Sequence, residues 1–149
     1  LESTGIRVGE LVKLNKSDID FEQRQTIVIG KGAKEREVYF NASAKLHLRE
    51  YLESRTDDCP ALFVQQKAPY NRLSISGVES TLRKLGKCAN INKVHPHRFR
   101  RTMATEAINR GMPIEQVQRL LGHAKIDTTM RYAQVEQQNV KMSHRKYLG

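Results

Sequence analysis

No stretch of the sequence stays apolar for the roughly 18 residues that a membrane-crossing helix needs, so no span is expected. No basic-then-apolar leader opens the chain, and there is no sign of secretion. Cysteine is scarce. Cys59 and Cys88 lie far apart in no ligand-like spacing, which excludes a disulfide framework and argues against a zinc site. Together these features give the expectation of a cytoplasmic protein with free thiols. Internal repeats and low-complexity tracts are absent, and so is the clustered carboxylate set of a two-metal nuclease.

What the chain does have is a core and an excess of positive charge. Its 149 residues are 38% apolar and 28% charged, enough for one globular domain. The net charge is +10, and residues 93–149 carry +7 of it. A basic field of this density points to a polyanion, nucleic acid first, with plain solubility as the rival explanation. The opening LESTGIRVGELVKL begins as if already inside an element, so the expectation is a fragment whose N-terminal partner domain is absent.

Local patterning predicts a mainly helical α+β domain. Ile6, Leu11, Val12 and Leu14 mark a helix over 6–14 with Thr4 as its cap. KSDIDFEQ reads as turn. Thr26–Ile29 and Val38–Phe40 read as strands of a small antiparallel hairpin whose tip, Gly30-Lys31-Gly32, is flexible and basic. Helices are expected over 42–54 and over 76–89, the second with Val78, Leu82 and Leu85 inward. Ala61–Val64 suggests a short third strand. Further helices are expected over 98–110, ended by Gly111, and from Pro113 to Leu121, ended by Gly122. Asp127 is a candidate cap for another short helix reaching Ala133.

HPHRFRR at 95–101 raises a question of register, because it holds both His95-x-x-Arg98 and His97-x-x-Arg100. Breaking a DNA phosphodiester requires cations on the non-bridging oxygens, a nucleophile, and an acid for the departing sugar oxygen. Arginine suits the first task, since its planar fork contacts two oxygens and stays charged. Taken singly, each candidate has a plainer explanation. Arg7 could be a surface charge, Lys31 a solvated hairpin charge, His123 a cap, and Tyr132 half-buried core.

Taken together and in order, TGIRVGELVKL, IGKGAKER, HRFRRTMAT and LLGHAKIDTTMRYAQV resemble the catalytic domain of tyrosine recombinases, the phage integrase family. The boxes run from residue 4 to residue 135, nearly the whole chain. The resemblance selects a register, because TMAT at 102–105 fits the family box only if the pair is His97 and Arg100. That choice also places His123 23 positions after Arg100, the family's usual interval. Arg101 stands where the family customarily has histidine, which puts a secondary contact in doubt.

The resemblance implies a set of roles. Tyr132 attacks the scissile phosphate to form a 3′-phosphotyrosyl link, and Arg7 and Arg100 clamp the non-bridging oxygens. Lys31 protonates the leaving 5′ oxygen. His97 assists proton transfer at the nucleophile or holds a phosphate oxygen, and His123 hydrogen-bonds the phosphate. Glu10 matches a supporting acid, although an i,i+3 pairing with Arg7 fits its position equally well. Neither metal nor cofactor is implied. The implied partners are double-stranded DNA and further copies of the chain, a tetramer on DNA, with the tail 134–149 docking on a neighbouring protomer. The implied function is site-specific recombination, with a mobile element as the preferred origin. Two rivals share parts of this pattern: a type IB topoisomerase-like relaxing enzyme, and a non-catalytic DNA-binding module.

Overall fold

The computed structural model describes residues 1–122 and 144–146. His123, Tyr132, the helix expected after Asp127, and nearly all of the tail lie outside the described residues. Residues 1–122 hold five helices and one small sheet, as the patterning predicts, and residues 144–146 are helical. They are α1 (Val8–Leu11), β1 (Ile19–Asp20), β2 (Gln25–Ile29), β3 (Glu35–Tyr39), α2 (Ala42–Glu53), α3 (Ile75–Cys88), α4 (Pro96–Asn109) and α5 (Ile114–Leu121). No described helix is long and apolar enough to cross a membrane.

The sheet is antiparallel in the order β1-β2-β3. Thr26 pairs with Val38 and Val28 with Arg36, and these four share the inward face. Val28 and Val38 join Ile6, Leu14 and Leu62 in one apolar cluster. A second cluster, Met103, Ala104, Val117 and Leu121, forms between α4 and α5. Gly5 lies where the clusters meet, next to the side chains of Met103 and Leu121. The polar residues discussed below gather at this seam.

Several expectations change. The first helix is four residues long and not nine, and Arg7 rather than Thr4 is its N-cap. Thr4 instead accepts the Ile6 N–H at 3.2 Å. Past Leu11 the chain tightens, with the Lys13 N–H on the Glu10 carbonyl and the Leu14 N–H on that of Leu11. Tertiary donors take the carbonyls that follow, Leu62 and Arg72 that of Leu14 and Arg72 also that of Val12. The segment read as turn holds a 3-10 turn, Lys16–Asp18, and β1.

Ala61–Val64 is not a strand and makes only isolated bridges, Asn15 to Ala61 and Val64 to Arg72. The Arg55 guanidinium explains this. It donates to the carbonyls of Cys59, Ala61 and Leu62, which a ladder would otherwise use, while Asp57 holds its other edge. On α3, Leu85 is 58% exposed and not inward. Gly86 takes the buried position, packed against Val94, so the inward stripe is Val78, Leu82 and Gly86.

Candidate active site

Arg7 has extended backbone and precedes the first turn of α1. Glu10, at the third helical position, reaches back, and its Oε2 accepts the Arg7 backbone N–H at 2.9 Å. This is the carboxylate half of a capping box. The same carboxylate accepts the Arg7 side chain, Nη1 to Oε1 at 3.0 Å, so the i,i+3 pairing is real. Arg36 on β3 then grips Glu10 with both fork nitrogens, Nη1 to Oε1 and Nη2 to Oε2, each at 2.7 Å. Glu10 is 6% exposed. Burial alone would raise its carboxyl. The hydrogen bonds from Arg36 and from the Arg7 backbone outweigh burial and hold it at about 2.

Arg7 also donates from Nη2 to the Gly122 carbonyl at 2.9 Å, while its side chain stays 40% exposed. Gly122 ends α5 with φ +62°, a left-handed cap that glycine adopts without a Cβ penalty. His123 is the next residue in the chain.

Arg100 arrives from α4. Pro96 opens that helix, with His95 as the N-cap. One helical turn on from Pro96, Arg100 is 3% exposed at the seam between the clusters. Its Nη1 donates to the Gly5 carbonyl and its Nη2 to that of Leu121 at 2.5 Å. Arg98, the alternative of the other register, is exposed and donates to the Asn92 carbonyl at 2.9 Å. The structure thus separates the two arginines sharply.

A cleft of about 780 Å³ brings Arg7, Glu10, Gly30, His95, His97 and Arg100 together. Three of the six sequence-predicted residues therefore share one wall system. Lys31 directly follows Gly30 on the rim and begins the turn Lys31–Ala33 that joins β2 to β3. His123 and Tyr132 lie outside the described residues. Two further members of the neighbourhood are His95, which sequence reasoning set aside with the other register, and Arg36, which it missed. His95 lines the cleft beside His97. Arg36 was legible in principle, since it stands two residues before Val38 and alternation puts both on the inward face. Chemically, the arrangement concentrates guanidinium groups around one ionised carboxylate at the edge of an open cleft, a setting suited to an anion.

The chain matches the model of the Phage integrase family over residues 1–139. It is 38% identical over 144 residues to the tyrosine recombinase XerC of Staphylococcus aureus (strain JH9), covering 95% of this chain and 48% of that protein. Its fold superposes on the crystal structure of XerA recombinase with a TM-score of 0.82 at 33% identity, covering 99% of this chain and 55% of that one. The XerH site-specific recombinase, bound to difH substrate in a pre-cleavage complex, gives a TM-score of 0.75 at 25% identity, covering 98% of this chain and 44% of that one. The chain spans about half the length of the curated relatives it matches.

Proposed function

The chain belongs to the phage integrase family, and from that membership we propose that it is the catalytic part of a tyrosine-type site-specific DNA recombinase. The observation that carries the proposal is the convergence of Arg7, His97 and Arg100 on one cleft, with the turn that starts at Lys31 on its rim. XerH bound to its difH substrate supports DNA as the substrate class. The relatives named above are recombinases, which favours strand exchange over relaxation.

The reaction divides one exchange into two transesterifications. The Tyr132 phenol oxygen bonds to phosphorus while the bond from phosphorus to the 5′ oxygen breaks. The phenolic proton leaves with assistance from His97, and Lys31 gives a proton to the departing 5′ oxygen. Arg7 and Arg100 hold the non-bridging oxygens, whose charge grows in the transition state, and His123 adds a hydrogen bond. The covalent 3′-phosphotyrosyl link conserves the energy of the cut diester, so rejoining needs no nucleotide cofactor. A homotetramer on DNA, joined by tails 134–149 docked in trans and working in the cytoplasm, belongs to the same proposal. Deleting residues 136–149 then weakens assembly on DNA in a gel-shift assay.

A nicked suicide substrate tests the central step. Wild-type protein accumulates a covalent protein–DNA adduct in the presence of EDTA, and Tyr132→Phe forms none while keeping nearly the same DNA affinity. Adduct formation that persists in Tyr132→Phe, or that appears only with magnesium, overturns the proposal.

A further inference from the structure

We propose that Arg36 is a positioning residue for the cleavage step, holding Glu10 from behind so that the charge of Arg7 stays available to the phosphate. The inference rests on the recombinase reading above and concerns a residue to which that reading gives no role.

Arg36 sits on the inward face of the sheet, opposite Val28, with its side chain 12% exposed. An arginine there is costly unless every donor is matched. It is well matched. The fork grips both Glu10 oxygens at 2.7 Å, and Nε donates to the Leu120 carbonyl at 3.1 Å. Its shaft lies against Gly122, where an added Cβ would stand 2.9 Å from Arg36 Cδ. One side chain therefore ties together the strand leaving the Lys31 turn, the α1 carboxylate, and the end of α5 just before His123.

Stability alone is a weak reason for such a pair. Apolar residues of similar volume commonly replace a buried ion pair at little cost in stability. The charge balance offers a better one. Each Glu10 oxygen receives one donor from Arg7 and one from Arg36. Arg36 and Glu10 cancel as a bidentate couple, which leaves the more exposed Arg7 with its full charge facing the cleft. Without Arg36, the ionised carboxylate has Arg7 as its sole described cationic partner. It would then draw Arg7 into a closed pair and weaken its grip on phosphate oxygen.

The test uses the protein as its gene encodes it and the suicide substrate described above. Arg36→Gln should slow single-turnover cleavage by on the order of 10- to 100-fold, the scale of a slightly misplaced catalytic group. DNA affinity should change by less than roughly threefold, so the loss falls on the chemical step. Lowering the pH should narrow the gap between Arg36→Gln and the wild type, because protonating Glu10 removes the charge that draws Arg7 away. Arg36→Lys, which keeps the charge but not the fork, should recover part of the rate.

The double variant Arg36→Met/Glu10→Leu separates positioning from folding. It should melt cooperatively near the wild-type temperature and, with no carboxylate left to draw Arg7 away, cleave faster than Arg36→Gln. A double variant that cleaves no faster than Arg36→Gln, or wild-type cleavage in a folded Arg36→Gln, overturns the proposal. Absence of any adduct with the wild-type protein fails the recombinase reading itself, and so is distinguishable from failure of the role given to Arg36.

Discussion

The Arg100 guanidinium donates to the Leu121 carbonyl at 2.5 Å, tying the middle of α4 to the last turn of α5. The same group reaches the Gly5 carbonyl, so one arginine joins three segments that are far apart in sequence. Arg7 makes the matching bond one residue further on, to Gly122. Two arginines thus hold the backbone on either side of the α5 terminus, one from inside the fold and one from its surface.

That difference in depth makes the two arginines separable by experiment. Arg100→Ala strips donors from buried carbonyls and leaves a void, and should cost about 2–4 kcal/mol of stability. Arg7→Ala, at a half-exposed site where Glu10 keeps Arg36, should cost about 1 kcal/mol or less. Both should reduce adduct formation by at least about 100-fold. Chemical denaturation beside the cleavage assay checks the pair. Equal stability losses would show that burial does not distinguish them.

Gly5 should not tolerate even a methyl group. Its φ is +57°, and an added Cβ would collide with Met103 Cε and crowd Leu121. The backbone strain is worth about 1 kcal/mol and the overpacking roughly 1–3 kcal/mol more. Gly5→Ala should therefore melt several degrees lower, and Met103→Ala in the same chain should restore part of the loss by making room. If Gly5→Ala melts like the wild type, the close meeting of the two clusters is wrong.

Periodicity revealed much of the fold, because α2 to α5 and the hairpin bury regular apolar stripes or alternate cleanly. Fine boundaries failed where side chains captured backbone. Arg72 and Leu62 take the carbonyls that follow α1, and Arg55 kept 61–64 from forming a ladder. Neither effect has a local signature. The spaced boxes singled out Arg7, His97 and Arg100, and the structure brings these three to one cleft. Arg36 escaped because its importance lies in a pairing across 26 positions that no local motif encodes. A mobile-element origin rests on the sequence resemblance, and no described residue bears on it.

Acid should destabilise the fold through Glu10 in a defined window. Its folded carboxyl titrates at about 2 against an ordinary value of 4.5. A depressed carboxyl contributes stability that is fully present above the unfolded value and is lost as pH falls through the folded one. The loss therefore develops from about pH 5 down to about 2, and after solvent screening is worth about 1–3 kcal/mol. Asp57, held at about 2 by the hydrogen bond from Arg55, titrates in the same window. Glu10→Gln should lower stability at neutral pH and flatten the fall below pH 5, with the residual slope assigned to Asp57. Parallel pH–stability curves for variant and wild type would rule out Glu10 as the titrating group.

The two histidines give a sharper test of register than the two arginines do. His95 and His97 line the same cleft and both are exposed, so position alone does not choose between them. Helix geometry does. His95 is the N-cap of α4, where its backbone is extended, whereas His97 lies within the first turn and one turn before Arg100. Residues three apart on a helix share a face, so His97 and Arg100 present to the cleft as a unit. A positioned proton-transfer group is worth about 10²–10⁴ in rate. His97→Ala should slow cleavage by at least the lower figure, and His95→Ala should stay within a few-fold of wild type. The reverse ranking would mean that chemistry follows the other histidine, even though the buried Arg100 remains the arginine at the cleft.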